Sequence, residues 1–201
     1  MNKKLFKIGL IMVVVLSLTG CFGNKMKNAK TVNIQKGTAK AEVTYPDDGE
    51  HQLLSVGSTQ IIKNEKENFK IIVGFENRTI SEQKKQRARF KKGTGPIFKD
   101  VEYNGYKGYA QISKVSGSTQ VYLFVDTKND VVLSAKISSV DLNKTIDDLL
   151  DKKTGQIKKG KKAEDALFNK KGVQEILKTL KYEQVKETSK PKTKKKKTTS
   201  A

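Results

Sequence analysis

Tryptophan is absent from this chain of 201 residues, cysteine and histidine occur once each, and there are three prolines. A single cysteine, Cys21, excludes any disulfide within the chain, so an ordinary packed core has to hold the fold. One histidine and one thiol cannot furnish a structural zinc site, which takes its four ligands from those residue types. A Ser-His-Asp arrangement would have to use His51, which lies in the polar segment Asp48-Gly49-Glu50-His51-Gln52. The nucleophile-elbow pattern G-x-S-x-G does not occur. Enzymatic activity is therefore not expected, and an unfamiliar catalytic site would be indicated only by a His51 buried beside carboxylates. Long apolar runs are scarce as well: the run Ile8 to Leu18 has about 11 residues, against the roughly 20 that a membrane-spanning helix needs. Acidic residues are few, 21 against 41 Lys and Arg.

The apolar run follows Lys3, Lys4 and Lys7, which gives the positive and then apolar segments of an export signal over residues 1–20. It ends in Leu18-Thr19-Gly20-Cys21: an aliphatic residue, two small ones and the only cysteine. These four residues resemble the lipobox of bacterial lipoproteins. The resemblance implies that the Cys21 thiol is diacylglycerol-modified, that the bond before it is cut, and that the protein is lipid-anchored on the extracytoplasmic face of the cell membrane. The lysine, asparagine and isoleucine usage is compatible with a Gram-positive source.

Losing Lys3, Lys4 and Lys7 with the signal lowers the formal charge from +20 to +17. An excess of that size concerns partners rather than fold. For an exported, anchored chain the implied partners are anionic phospholipid and wall polymer, and other envelope proteins. Nucleic acid is not indicated, because no aromatics are interleaved with the lysines to stack on bases.

Residues 21–30 carry three lysines and little periodicity, and read as a tether after the lipidated cysteine. A domain over residues 31–184 follows, with the alternating segments Val32/Ile34 and Ala41/Val43/Tyr45 before the turn signal Tyr45-Pro46-Asp47-Asp48-Gly49. A weak strand, Gln60 to Lys63, precedes the strongest, in which Phe69, Ile71, Val73 and Phe75 share one face. Thr79-Ile80-Ser81-Glu82 fits a capping box opening a surface helix from about Ile80 to Lys92. A meander of hairpins comes next: Phe98 to Tyr103 and Tyr106 to Val115 around Asn104-Gly105, then Gln120 to Asp126 and Val131 to Ser138. Val121, Leu123 and Val125 alternate with Tyr122 and Phe124, as in a strand covered on both faces. Two helical stripes close the domain, Leu142/Ile146/Leu149/Leu150 and Val173/Ile176/Leu177/Leu180, with a basic glycine-punctuated loop at 152–162 between them. Residues 185–201 form a polybasic tail with no apolar run, expected to be disordered.

Tyr45-Pro46-Asp47-Asp48, Tyr103-Asn104-Gly105-Tyr106-Lys107-Gly108-Tyr109 and the helix running to Tyr182 resemble the PsbP-like group of small α+β domains found in bacterial lipoproteins. The fold expected is α+β: an antiparallel sheet built as a meander of hairpins, with helices packed on one face. The resemblance implies a non-enzymatic binding or adaptor module. The alternative is an extracytoplasmic chaperone or small-ligand carrier using the sheet face, which a large apolar pocket would favour. Tyr103, Tyr106 and Tyr109 fit sheet packing or a ligand surface. The residues expected to meet an anionic surface are Lys84, Lys85, Arg87 and Arg89 on the first helix, Lys158, Lys159, Lys161 and Lys162 in the loop, and Lys194, Lys195, Lys196 and Lys197 in the tail. Asp47, Asp48 and Glu50 read as turn chemistry rather than a calcium loop. Asp126 to Asp130 has Lys128 where an EF-hand wants Asp or Asn. Gly155 to Lys162 matches G-x-x-x-x-G-K without the Ser or Thr of a phosphate loop. No cofactor or metal is expected.

Overall fold

The computed structural model describes residues 26, 28–90, 95–125 and 131–184. Its strands make two antiparallel sheets rather than the one expected. The smaller consists of β1 (Ala29–Lys36), β2 (Ala39–Pro46) and β10 (Lys181–Gln184), with β2 in the middle. The larger has seven strands in the order β3 (His51–Val56), β4 (Thr59–Asn64), β5 (Phe69–Glu76), β9 (Val132–Ser138), β8 (Thr119–Leu123), β7 (Tyr106–Ile112) and β6 (Ile97–Tyr103). Among the described residues there are four helices: α1 (Ile80–Ala88), α2 (Leu142–Leu149), α3 (Ala163–Ala166) and α4 (Lys171–Leu177).

The period-two pattern of β5 drives the assembly. Phe69, Ile71, Val73 and Phe75 are buried on one face, and the register sets Ile71 against Ile137, Val73 against Ala135 and Phe75 against Leu133. The same face continues through Val121 and Leu123 of β8 and Ala110 and Ile112 of β7. Ile34, Ala41, Val43 and Tyr45 of the small sheet cover it, with Leu149, Leu167, Val173, Ile176 and Leu177 of the C-terminal helical segment, all in one apolar cluster. Burying apolar area on this scale is the main favourable term in folding, at about 25 cal/mol per Å².

The second face carries α1, so the expectation that all helices share one face does not hold. Tyr109 and Tyr122 point away from the main core, stack at 5.2 Å and are closed over by α1. The helix has too few apolar residues to join the main core. It covers the rings with polar groups instead: Gln83 accepts from the Tyr109 hydroxyl at 3.0 Å, and the Arg87 guanidinium lies 5.4 Å from the Phe98 ring and 5.2 Å from that of Tyr109. Its start is the expected capping box, Thr79 Oγ1 accepting from the Glu82 amide and Glu82 from the Thr79 amide. It ends at Ala88, short of the expected Lys92, which is not among the described residues.

Other elements depart from expectation for visible reasons. His51 opens a strand, β3, rather than sitting in a loop. This edge strand is exposed on both faces, with Leu53 at 36%, Leu54 at 58% and Val56 at 56%, so no alternation marks it. The last helix stops at Leu177, and the chain turns at Leu180 into β10, which pairs with β2 across about 140 residues of sequence. Of the first C-terminal stripe, Leu149 is buried, but Leu142 is 49% exposed and Leu150 lies beyond the helix in a bridge to Ile157. The Asn104-Gly105 turn has both residues at positive φ, 50° and 82°, as a two-residue hairpin requires.

Candidate functional site

Six lysines from four separate segments converge on one cleft of about 520 Å³: Lys66, Lys144, Lys161, Lys162, Lys170 and Lys171. The β4–β5 turn supplies Lys66. It is built on Asn64, whose Oδ1 caps the Glu67 amide at 2.9 Å, and on Asn68, held at φ 55°. Asn68 is 8% exposed and clamps this turn to the start of α2. Its Nδ2 donates to the Asp141 carbonyl at 3.1 Å and to Thr145 Oγ1 at 3.0 Å, and its Oδ1 accepts from the Asp141 amide at 2.6 Å. Asp141 in turn caps α2 through the Lys144 amide, at 3.1 Å, so Lys144 projects from a fixed first turn. Lys161 and Lys162 stand before α3, and Lys170 and Lys171 open α4.

Three carboxylates, Glu67, Asp148 and Asp165, also line the cleft and leave an excess of three positive charges in its lining, with Lys66 paired to Glu50 at 2.6 Å and Lys171 to Glu175 at 3.8 Å from just outside it. Glu67 lies against Gly172, where a Cβ would stand 2.7 Å from its Oε2, so glycine there lets the carboxylate approach. Lys170 is the most enclosed of the cations. Its Nζ donates to the Glu67 carbonyl, and burial holds its pKa below the ordinary lysine value, with the Glu67 charge opposing. Clustered ammonium groups of this kind favour a ligand with several anionic oxygens, a phosphate above all, since each ammonium offers three donors.

Of the cations expected from sequence to meet an anionic surface, Lys161 and Lys162 are in this cleft. Lys158 instead donates to the Asp147 carbonyl at 2.5 Å, and Lys159 lies outside the lining. Lys85 of α1 and Arg89, its C-cap, join Arg78 around a separate shallow groove, while Lys84 lies 5.9 Å from the Phe124 ring. Arg87 bonds Asp100 at 2.8 Å and stacks on rings, so its charge is already paired. Cys21 and Lys194, Lys195, Lys196 and Lys197 lie outside the described residues. Sequence alone missed Lys66, Lys144, Lys170 and Lys171, because isolated lysines at the ends of different elements leave no local run to notice.

His51 is buried beside a carboxylate, the arrangement that would point to catalysis. Its side chain is 5% exposed, and Nδ1 lies 3.0 Å from both Asp48 oxygens. The ring is nevertheless fully engaged: Nε2 is 3.2 Å from Asn64 Nδ2, whose partner oxygen already holds the Glu67 amide. Asp48 on one ring nitrogen and Asn64 on the other leave neither nitrogen free. Among the described residues no hydroxyl or thiol hydrogen-bonds the ring, so the pair acts as a tie between the 48–51 turn and β4. Burial acts to raise the Asp48 pKa, but bonds from the His51 ring and amide and from the Glu50 amide outweigh it and hold the carboxyl at about 2. The neighbouring acids follow turn and ion-pair chemistry, with Asp47 on Lys30 at 2.7 Å and Glu50 on Lys66 at 2.6 Å.

The tyrosines serve packing. Tyr103 donates to Gln174 Oε1 at 3.3 Å, Tyr106 to the Tyr182 carbonyl at 2.5 Å, and Tyr109 to Gln83. Burial pushes Tyr103 up to about 12, so its phenol stays neutral. No family model, no curated protein and no solved structure matches the chain.

Proposed function

We propose that this chain is an exported bacterial lipoprotein, anchored through diacylglyceryl-Cys21, whose PsbP-like α+β domain is a non-enzymatic binding or adaptor module for anionic lipid or wall polymer. The supporting observation is the cleft itself: six lysines brought together from distant positions in a chain of formal charge +20. The α+β architecture and the hairpin around Asn104-Gly105 are in keeping with the PsbP-like resemblance. Two acyl chains, at about 0.8 kcal/mol per buried CH₂, anchor a protein far more firmly than one. Cys21→Ser should abolish incorporation of labelled palmitate and leave the protein unprocessed or released from the membrane fraction. A labelled, membrane-retained Cys21→Ser protein would refute the anchor.

A second reading, a carrier working on the sheet face, draws on one observation. On the face of β3–β5 turned away from the core, the exposed Leu54 pairs with the half-buried Ile61, which pairs with the half-buried Ile72. Leu54→Ser should then lower the affinity for an apolar fluorescent dye severalfold. Dye binding indifferent to that change would leave the adaptor reading alone.

A further inference from the structure

The two ends of the described chain leave the domain in opposite directions, and the cleft lies at one of them. The N-terminal end of β1 pairs with the Pro46 end of β2, where the Asp47 amide donates to the Asn28 carbonyl at 2.8 Å. From there contacts lead directly to the cleft: Asp48 holds His51, and Glu50 holds the cleft's own Lys66 at 2.6 Å. β10 runs in the same direction as β1, from Lys181 opposite Glu42 to Gln184 opposite Ala39, so the described chain leaves at the other end of β2. At about 3.3 Å per residue the eight residues of β2 separate the two exits by some 25 Å. Cys21 precedes Asn28 by seven residues, which extend at most about 25 Å. Lipid at Cys21 would therefore hold the cleft end, and not the tail end, against the bilayer.

A second feature distinguishes this end. Val140, 37% exposed, and Leu142, 49% exposed, flank Asp141, the residue that Asn68 clamps to the cleft wall. A soluble polyanion gains nothing from two apolar side chains in water beside its site. At a membrane, side chains of this kind enter the headgroup–acyl boundary while neighbouring lysines meet phosphate. We propose that the cleft is a headgroup-phosphate site, with Val140 and Leu142 dipping into the lipid interface beside it, so that the domain is docked on the membrane cleft-first and its C-terminal tail starts from the far side. This proposal rests on the lipoprotein reading above.

The test uses residues 22–201, unlipidated but retaining every described residue, in co-sedimentation with phosphatidylglycerol-containing and with pure phosphatidylcholine vesicles at 0.1 and 1 M salt. Lys144→Ala/Lys171→Ala should weaken binding to the anionic vesicles by roughly tenfold to thirtyfold, on the scale of lysines near an anionic surface. Leu142→Ser should weaken it severalfold while leaving binding of a soluble glycerol-phosphate polymer unchanged. Both exposed changes should leave the urea midpoint where it was. Binding of the lysine variant equal to the parent would overturn the cleft as the site. Polymer bound at least as tightly as vesicles, with Leu142→Ser silent on both, would overturn the headgroup and make free phosphate polymer the ligand. Palmitate labelling of Cys21 in cells separates the two failures: labelling with no effect of the cleft variants refutes only this inference, and no labelling refutes the anchor.

Discussion

Replacing Asn68 tests how the cleft is held open. The side chain makes three hydrogen bonds while 8% exposed, two to Asp141 and one to Thr145. Net contributions of about 0.5–1.5 kcal/mol each put the loss in Asn68→Ala near 3 kcal/mol, since the bonds share partners and do not simply add. The backbone contributes separately. Asn68 sits at φ 55°, and alanine in the left-handed region costs about 1–2 kcal/mol more than a residue at ease there. Asn68→Gly loses the same bonds without the strain, so it should be more stable than Asn68→Ala by about 1 kcal/mol. In urea, with m near 1–3 kcal/mol/M, the glycine variant, near 3 kcal/mol, should lower the midpoint by between about 1 and 3 M, and the alanine variant, near 4 kcal/mol, by between about 1.3 and 4 M. Equal losses in the two variants would remove the backbone term. A loss below about 0.5 kcal/mol in both would refute the clamp, because three buried partners cannot be abandoned that cheaply.

Two further outcomes follow from other parts of the fold. Gly108 in β7 faces β8, where an added Cβ would stand 1.9 Å from the Tyr122 carbonyl oxygen, so Gly108→Ala has to part the β7–β8 ladder. A loss at or above the usual overpacking range of about 1–3 kcal/mol is expected, seen as a lowered midpoint with faster amide exchange in β8. Asp48 has its folded pKa depressed from 3.8 to about 2, so its tie to His51 stabilises the fold above pH 4 and is lost as the pH falls towards 2. Asp48→Asn should flatten the fall in urea midpoint across that window, and an unchanged acid limb would show the tie to be without effect.

The sequence made some of this fold readable and concealed the rest for physical reasons. Phe69 to Phe75, the Thr79/Glu82 capping box and the Asn104-Gly105 hairpin are short-range patterns whose causes lie within a few residues, and the structure bears them out. Val173, Ile176 and Leu177 show the helical stripe they should, but the chain turns at Leu180 and Tyr182 lies in a strand, because pairing with β2 overrides local periodicity. β3 escaped notice for the opposite reason: an edge strand exposed on both faces has no buried set to impose alternation. The division into two sheets depends on which distant strands meet, and no local pattern encodes that. The site behaves alike. Lys161 and Lys162 stood out as part of a basic run, whereas Lys66, Lys144, Lys170 and Lys171 gain meaning only once Asn68 and the two C-terminal helices bring them together.

The small sheet gives the domain a particular response to load. β1 and β10 flank the same central strand, and the chain enters at the Pro46 end of β2 and leaves at the Ala39 end. A pull between the two termini therefore acts along the strands, against ladder hydrogen bonds that run perpendicular to it. The eight residue pairs between β1 and β2 and the four between β10 and β2 are sheared together rather than unzipped one at a time. The shorter ladder is the weaker joint, so under tension the C-terminal strand should slip first and leave β1, β2 and the cleft end in place.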